Sequence, residues 1–237
     1  LVDATLGLGG HTEAFLASLP ALRVLGIDRD PEALESSKAR LVPYGDRVSF
    51  AQCRYDDLGL ALDSQFGGEA PAAILFDLGV SSLHLDKPER GFSYSVDAPL
   101  DMRMNPGDAH SATDILASYE VDELAGIFWR FGDEKLAKRY AHAIADARGI
   151  KPITRTSELV EILQQATPYA LRDKGHPAKR VFQALRIEVN HELESLEAAI
   201  PEAMNRLAVG GRIAVMSYQS GEDKFVKTEL RRRSRST

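Results

Sequence analysis

The chain has 237 residues, 44% of them hydrophobic and 27% charged, with 29 Lys and Arg against 35 Asp and Glu for a formal net charge of −6. These proportions exclude collagen-like, disordered and supercharged classes. The length suits one large domain, or a core carrying a smaller inserted unit.

Cys53 is the single cysteine; it cannot close an internal disulfide, and no Cys/His spacing resembles a zinc site. A reducing, cytoplasmic setting without a bound metal is expected. No apolar run approaches the roughly 20 residues that span a bilayer, and no charged-then-apolar leader precedes a cleavage site, so no membrane partner is expected. The chain opens at Leu1-Val2-Asp3, without Met and inside a strand-like run, which predicts an upstream extension. Residues 1 to 100 carry 8 basic and 15 acidic side chains and the remainder 21 and 20. A nucleic acid would therefore have to be met by a local patch, there being no global positive field.

Short apolar runs alternate with helical patterns at the N-terminal end, the signature of βα units around a parallel sheet. Strands are predicted over Val2 to Ala4, Arg23 to Asp28, Val48 to Gln52 and Ala72 to Leu78. Helices fall between them at Thr12 to Leu19 and Pro31 to Leu41, the latter with Asp30 as N-cap and Pro31 at its first position. From Ser81 to Asp108 the chain is polar. Helices then follow without strands at Ala112 to Ala117, Val121 to Phe131, Lys135 to Arg148 and Ser157 to Ala166. A long helix from Ala178 to about Leu207 leads through Gly210-Gly211 into a last strand, Arg212 to Ser217. The pattern predicts a doubly wound α/β fold, mostly parallel, with a helical insertion. Residues 1–105 and 183–237 form its discontinuous core, and 106–182 the inserted helical domain.

The first strand runs into Asp3-Ala4-Thr5-Leu6-Gly7-Leu8-Gly9-Gly10-His11-Thr12. Glycines there let the backbone approach a ligand and aim helix N-terminal N–H groups at it, or simply make a tight turn. A dinucleotide fingerprint would need a third glycine where Thr12 stands, so an adenosine-type ligand without pyrophosphate fits better than a nicotinamide cofactor. The second strand ends at Asp28, whose carboxylate can accept from a ribose diol. Asp30 reads as a helix cap, whereas Asp28 has no comparable structural duty in the sequence pattern. The fourth strand ends at Asp77, followed by Leu78-Gly79-Val80-Ser81-Ser82; it can touch a cofactor, accept from a proton-bearing amine, or cap the next turn.

These segments, together with Arg90-Gly91-Phe92-Ser93-Tyr94, Pro99-Leu100-Asp101-Met102-Arg103-Met104 and the run His176-Pro177-Ala178-Lys179-Arg180-Val181-Phe182-Gln183-Ala184-Leu185-Arg186-Ile187, occur in this order. In them the chain resembles the bacterial small-subunit ribosomal RNA cytosine-N4 methyltransferases, from Asp3 to about Lys227. The resemblance implies a Rossmann-like class I methyltransferase core, S-adenosylmethionine as methyl donor, and a cytosine in the decoding region of 16S rRNA, free or in the 30S subunit, as acceptor. It implies Gly9, Gly10 and His11 at the methionine end of the cofactor, Asp28 on the ribose, Tyr55 against adenine, and Asp77 and His84 completing the pocket. His84 stands where relatives more often have Gln. Gln219 and Gly221 replace a His and a Leu of the usual motif, so Gln219 is given no role.

From Ala178 onward, Lys179, Gln183, Arg186 and Asn190 recur on one helix face. With Arg172, Lys174 and Arg180 they give residues 172 to 190 five basic against two acidic side chains. Such stripes are ordinarily solvated; the resemblance turns this one into a phosphate-binding face. Arg90 and Phe92, with Tyr94, combine a cation with rings on which an unstacked base can rest, or the rings plug the core. Met102 and Met104 read as gap fillers at a domain junction. The mechanism implied is direct in-line methyl transfer to the exocyclic amine, with the reacting atoms about 3 to 3.5 Å apart. Asp77 is the candidate acceptor of the amine proton, supported by the Ser81/Ser82 region. Cys53 lacks the flanking Pro-Cys arrangement of enzymes that attack the pyrimidine ring. A methyltransferase of DNA or a small molecule, and a non-catalytic RNA-binding assembly factor, are the alternatives.

Overall fold

The computed structural model describes residues 1–171 and 175–234. They divide into two compact units: Leu1–Leu83 with Leu193 onward, and His84–Glu192. Arg172 and Lys174, two of the cations expected on the basic stripe, lie outside the described residues.

The first unit is built on a five-stranded sheet in the order β3-β2-β1-β4-β5, every neighbouring pair parallel. Its strands are β1 (Val2–Asp3), β2 (Val24–Asp28), β3 (Val48–Gln52), β4 (Ala73–Asp77) and β5 (Arg212–Met216). The chain moves outward from β1 to β3, then resumes on the other side of β1 with β4, so the strand order reverses between β1 and β4. In open α/β sheets a ligand crevice forms beyond the strand ends at such a reversal.

The helices of this unit are α1 (Gly10–Ser18), α2 (Pro31–Leu41), α3 (Leu58–Phe66), the short α4 (Ser82–Asp86) that runs out of it, and, after the interruption, the helices that follow residue 191. Asp30 caps α2, its carboxylate accepting from the Glu32 N–H at 3.0 Å, as the Asp-Pro start predicts. Successive strand residues face opposite sides, so Val24 joins a core of Leu6, Leu16, Leu34 and Leu41, whereas Leu25 and Ile27 join Leu58, Leu62, Leu196 and Ile200. Both faces of the sheet are thus covered, which is why its strands read as nearly continuous apolar runs.

The second unit is helical: α5 (Ala112–Ser118), α6 (Val121–Gly132), α7 (Ala137–Arg148), α8 (Thr156–Ala166) and α9 (Ala178–Asn190). Helix α6 packs on both α7 and α9 through a stripe of Leu124, Ile127, Phe128 and Phe131. Helix α5 opens with a capping box between Ser111 and Asp114.

The helix expected from Ala178 to about Leu207 is two helices. His191 takes a left-handed backbone (φ 50°) that ends α9, and α10 (Glu192–Arg206) starts at the next residue. Beyond β5 follows α11 (Ser220–Ser234), the last element of the described residues. The stretch expected as a polar loop has a buried interior of Phe92, Ala98, Leu100, Met102 and Met104. Its backbone pairs with the entry to α8, the Thr156 N–H donating to Ala98 and the Leu100 N–H to Thr154. For that reason residues 84–105 cluster with the helices, and the expected boundaries at 105/106 and 182/183 fall inside the second unit.

Candidate functional site

The carboxyl ends of β3, β2, β1 and β4, adjacent in that order, carry Tyr55, Asp28, the glycine loop and Asp77. The loop starts at the strand reversal. Gly7 and Gly9 adopt positive φ (53° and 79°), and a Cβ on Gly9 would sit 3.2 Å from Leu41. A side chain at Gly9 would meet both a backbone penalty and a steric one, so glycine is required for α1 to start where it does.

Buried struts hold the loop beneath. Asp3, fully buried at the end of β1, accepts from the Thr12 hydroxyl at 2.7 Å and the Thr5 N–H at 3.3 Å. Burial raises its carboxyl above the ordinary range, against the opposing pull of those hydrogen bonds. The Thr5 hydroxyl accepts from the Asp77 N–H at 2.7 Å, tying the end of β4 to the loop.

Asp28 does have a structural duty, contrary to the expectation from sequence. Its Oδ2 accepts from the Gly7 N–H at 2.7 Å and its Oδ1 from the Asp30 N–H at 2.8 Å. An ionised carboxylate offers about four acceptor sites, so the same group can steady the loop and still receive hydroxyls. The carboxylates of Asp28 and Asp77, the loop's backbone and the Tyr55 ring suit an adenosine-type ligand with a cationic end.

Asp77, with 28% of its side chain exposed, lies between two partners: His11 Nε2 at 3.1 Å from Oδ2, and the Tyr218 hydroxyl donating to Oδ1 at 3.0 Å. The negative carboxylate holds the Tyr218 phenol above its usual range. Tyr218 is a residue the sequence pattern missed. It follows β5, the strand beside β4, and a polar residue just past the end of a neighbouring strand was the available signal. Tyr55 is half-buried and meets Phe76 edge-on, ring centres 5.8 Å apart. Burial first, then Asp57 and Asp56, pushes the Cys53 thiol up to about 11, which suits its reading as a packing residue.

The model of the MraW methylase family matches residues 1–237. The chain belongs to that family. It is 59% identical to the ribosomal RNA small subunit methyltransferase H of Clavibacter michiganensis subsp. michiganensis, over all of this chain and 74% of the relative. The protein of the same name from Leifsonia xyli subsp. xyli is 56% identical over all of this chain and 73% of its own length. That of Mycobacterium marinum is 57% identical over 96% of this chain and 58% of its own. The chain is thus that of an enzyme, a methyltransferase with a Rossmann-like α/β core. No helix among its described residues is long and apolar enough to cross a membrane.

In the helical unit the expected RNA contacts separate into two kinds. Lys179 and Arg180 are exposed, the Arg180 guanidinium also donating to Asp133 O at 2.9 Å. Arg186, Asn190, Arg90 and Phe92 are turned to structural work. Arg186 forms a bidentate pair with Glu192 (2.8 and 2.9 Å), with 16% and 8% of the two side chains exposed. Asn190 is fully buried; its amide oxygen accepts from the Met104 N–H at 2.8 Å, and its nitrogen donates to the carbonyls of Met102 and Arg186. Arg90 donates to the carbonyls of Arg103 and Met104. Phe92 is buried against His84, ring centres 4.8 Å apart. Gln183 donates to Phe131 O; of the predicted four-residue stripe Lys179 is exposed, Gln183 and Arg186 are half-buried and Asn190 is buried. Helical spacing assigned a face; the loop of residues 102–104 and Glu192 cover most of it. His84, expected beside the cofactor, belongs to this second unit and is 5% exposed.

Proposed function

We propose that this methyltransferase acts in the cytoplasm on 16S rRNA, free or in the 30S subunit, and places a methyl group on the exocyclic N4 amine of a cytosine in the decoding region. The observation that carries the proposal is the juxtaposition, at the strand reversal, of the glycine loop after β1 with Asp28 and Asp77 at the ends of β2 and β4. The names of the relatives supply the small-subunit rRNA. S-adenosylmethionine, when bound, supplies an electrophilic methyl on a sulfonium.

In this reading Asp28 accepts from the ribose hydroxyls, Tyr55 packs against adenine, and Gly9, Gly10 and His11 face the methionine end. The amine lone pair of cytosine is delocalised into the ring. An acceptor at its N–H localises that pair and receives the proton as positive charge develops. Asp77 is that acceptor, with His11 and Tyr218 fixing its carboxylate on either oxygen. The target base must leave its stack, and the exposed Lys179 and Arg180 hold backbone phosphates nearby in sequence to it. His84 is the remaining residue of the proposed cofactor-binding set, as the family resemblance implies.

The test is transfer of labelled methyl from S-adenosylmethionine to undermethylated 30S subunits, with the modified nucleotide mapped by nuclease digestion and mass spectrometry. N4-methylcytidine at one decoding-region position is the expected product. Label only in DNA or a small molecule, or cofactor binding without transfer, would replace the proposal with another acceptor or a non-catalytic role.

A further inference from the structure

Trp129 is the chain's single tryptophan, and it is 63% exposed. It stands on α6 away from the stripe that packs inward, and its exposure does nothing for the fold. Beside it, between α6 and the start of α7, lies a cleft of about 560 Å³, within the range of small-ligand sites. Ala125, Gly126 and Ala137 line it with small side chains, and a Cβ on Gly126 would meet nothing within 4 Å. The space beside the indole is therefore open to a flat group.

The rim is cationic. Lys135, Lys138 and Arg139 line the cleft and are exposed. Lys135 and Lys138 make no ion pair among the described residues, while Arg139 donates to the Ala166 carbonyl. The acidic Glu134 is buried and accepts from the Leu136 N–H at 2.8 Å, which leaves Asp122 as the exposed carboxylate at the edge. A broad aromatic face within reach of uncommitted ammonium groups offers stacking and phosphate neutralisation together, the pairing that holds unstacked nucleotides.

We propose that the cleft between α6 and α7 is an RNA-contact site in which one unstacked nucleotide stacks on Trp129 while Lys135 and Lys138 hold its flanking phosphates. The proposal rests on the reading of the protein as an rRNA methyltransferase and adds to it a place on the helical unit where single-stranded substrate is gripped.

The lone indole makes the site directly observable. The full chain is titrated with a single-stranded RNA of about eight nucleotides, following tryptophan emission at two salt concentrations. Saturable quenching that weakens with salt is expected, and Lys135→Gln with Lys138→Gln should lower the slope of log affinity against log salt by roughly 1.4, or 0.7 per phosphate on a single strand. Trp129→Ala should weaken RNA binding, measured by filter retention, roughly tenfold, and Trp129→Phe should recover part of the loss. Its circular dichroism should match the parent, since the side chain is outside the core.

No quenching by RNA, with filter-retained affinity unchanged in Trp129→Ala, would overturn the site. Quenching by 30S subunits but not by RNA would overturn it too, by assigning the cleft to a ribosomal protein. Failure here beside N4-methylcytidine formation by the parent enzyme would leave the proposed function intact. Quenching by RNA without methyl transfer would do the reverse.

Discussion

Charged and polar side chains are used in opposite ways in the two units. In the α/β unit Asp28 and Asp77 sit at strand ends, fastened there by hydrogen bonds. In the helical unit Arg90, Arg186 and Asn190 close on carbonyls or a carboxylate of their own unit. The difference follows from geometry. A parallel sheet ends abruptly, so a residue at the carboxyl end of a strand is placed at the crevice by the chain itself. A helix has a whole circumference, and whichever part neighbouring segments cover becomes interior. Polar spacing on a helix therefore predicts a face, whereas a polar residue at a strand end predicts a place.

Breaking the strand-end group should have the largest effect on chemistry. Asp77→Asn, nearly isosteric, should lower methyl transfer about 100-fold or more while cofactor affinity, by calorimetry, changes little. Full activity would remove Asp77 as proton acceptor. On the helical side the matching lesion is structural: Asn190→Ala deletes two buried hydrogen bonds and a part-buried one and should cost about 3 kcal/mol in denaturant unfolding. A loss of RNA affinity without a loss of stability would return Asn190 to the binding face.

Gly9→Ala tests the loop. Its left-handed backbone and the close approach of Leu41 predict a cost of about 1 to 2 kcal/mol and weaker cofactor binding. A variant as stable as the parent would show that the loop has other conformations open to it.

Lys179→Ala and Arg186→Ala sharpen the contrast within one helix. The first should weaken RNA binding severalfold and lower the salt slope by roughly 1, with stability unchanged. The second removes a bidentate guanidinium from the buried Glu192 carboxylate and should show first as lost stability. Equal salt effects in both would put Arg186 back among the phosphate contacts.

The mildest effect is on acid sensitivity. The Lys151 ammonium, then the N–H groups of Thr154 and Arg155, hold the Glu158 carboxyl down from 4.5 to about 2. A depressed carboxyl adds stability that is fully present above its unfolded value and is lost as pH falls from about 4.5 towards 2. Urea midpoints at pH 6 and pH 3 should therefore differ less in Glu158→Gln than in the parent. An unchanged difference would show that other carboxylates carry the acid response.

The sequence by itself determined the five strands, the glycine loop and the family, because buried parallel strands and strand-end motifs are local features. β3 and α2 occupy the residues their patterns predicted, and Asp28, Tyr55, Asp77 and His11 come together at neighbouring strand ends. Helix α3 was not visible in it, since Leu58-Gly59-Leu60-Ala61-Leu62 has no clear helical period, nor was α11, whose few apolar residues are dispersed among charges. Only the tertiary structure decided that the long helix breaks at His191, that Tyr218 shares Asp77 with His11, and that Arg186 and Asn190 turn inward while Trp129 turns out. Each of these depends on which segments far apart in the chain meet, and spacing along a helix carries no information about what will cover it.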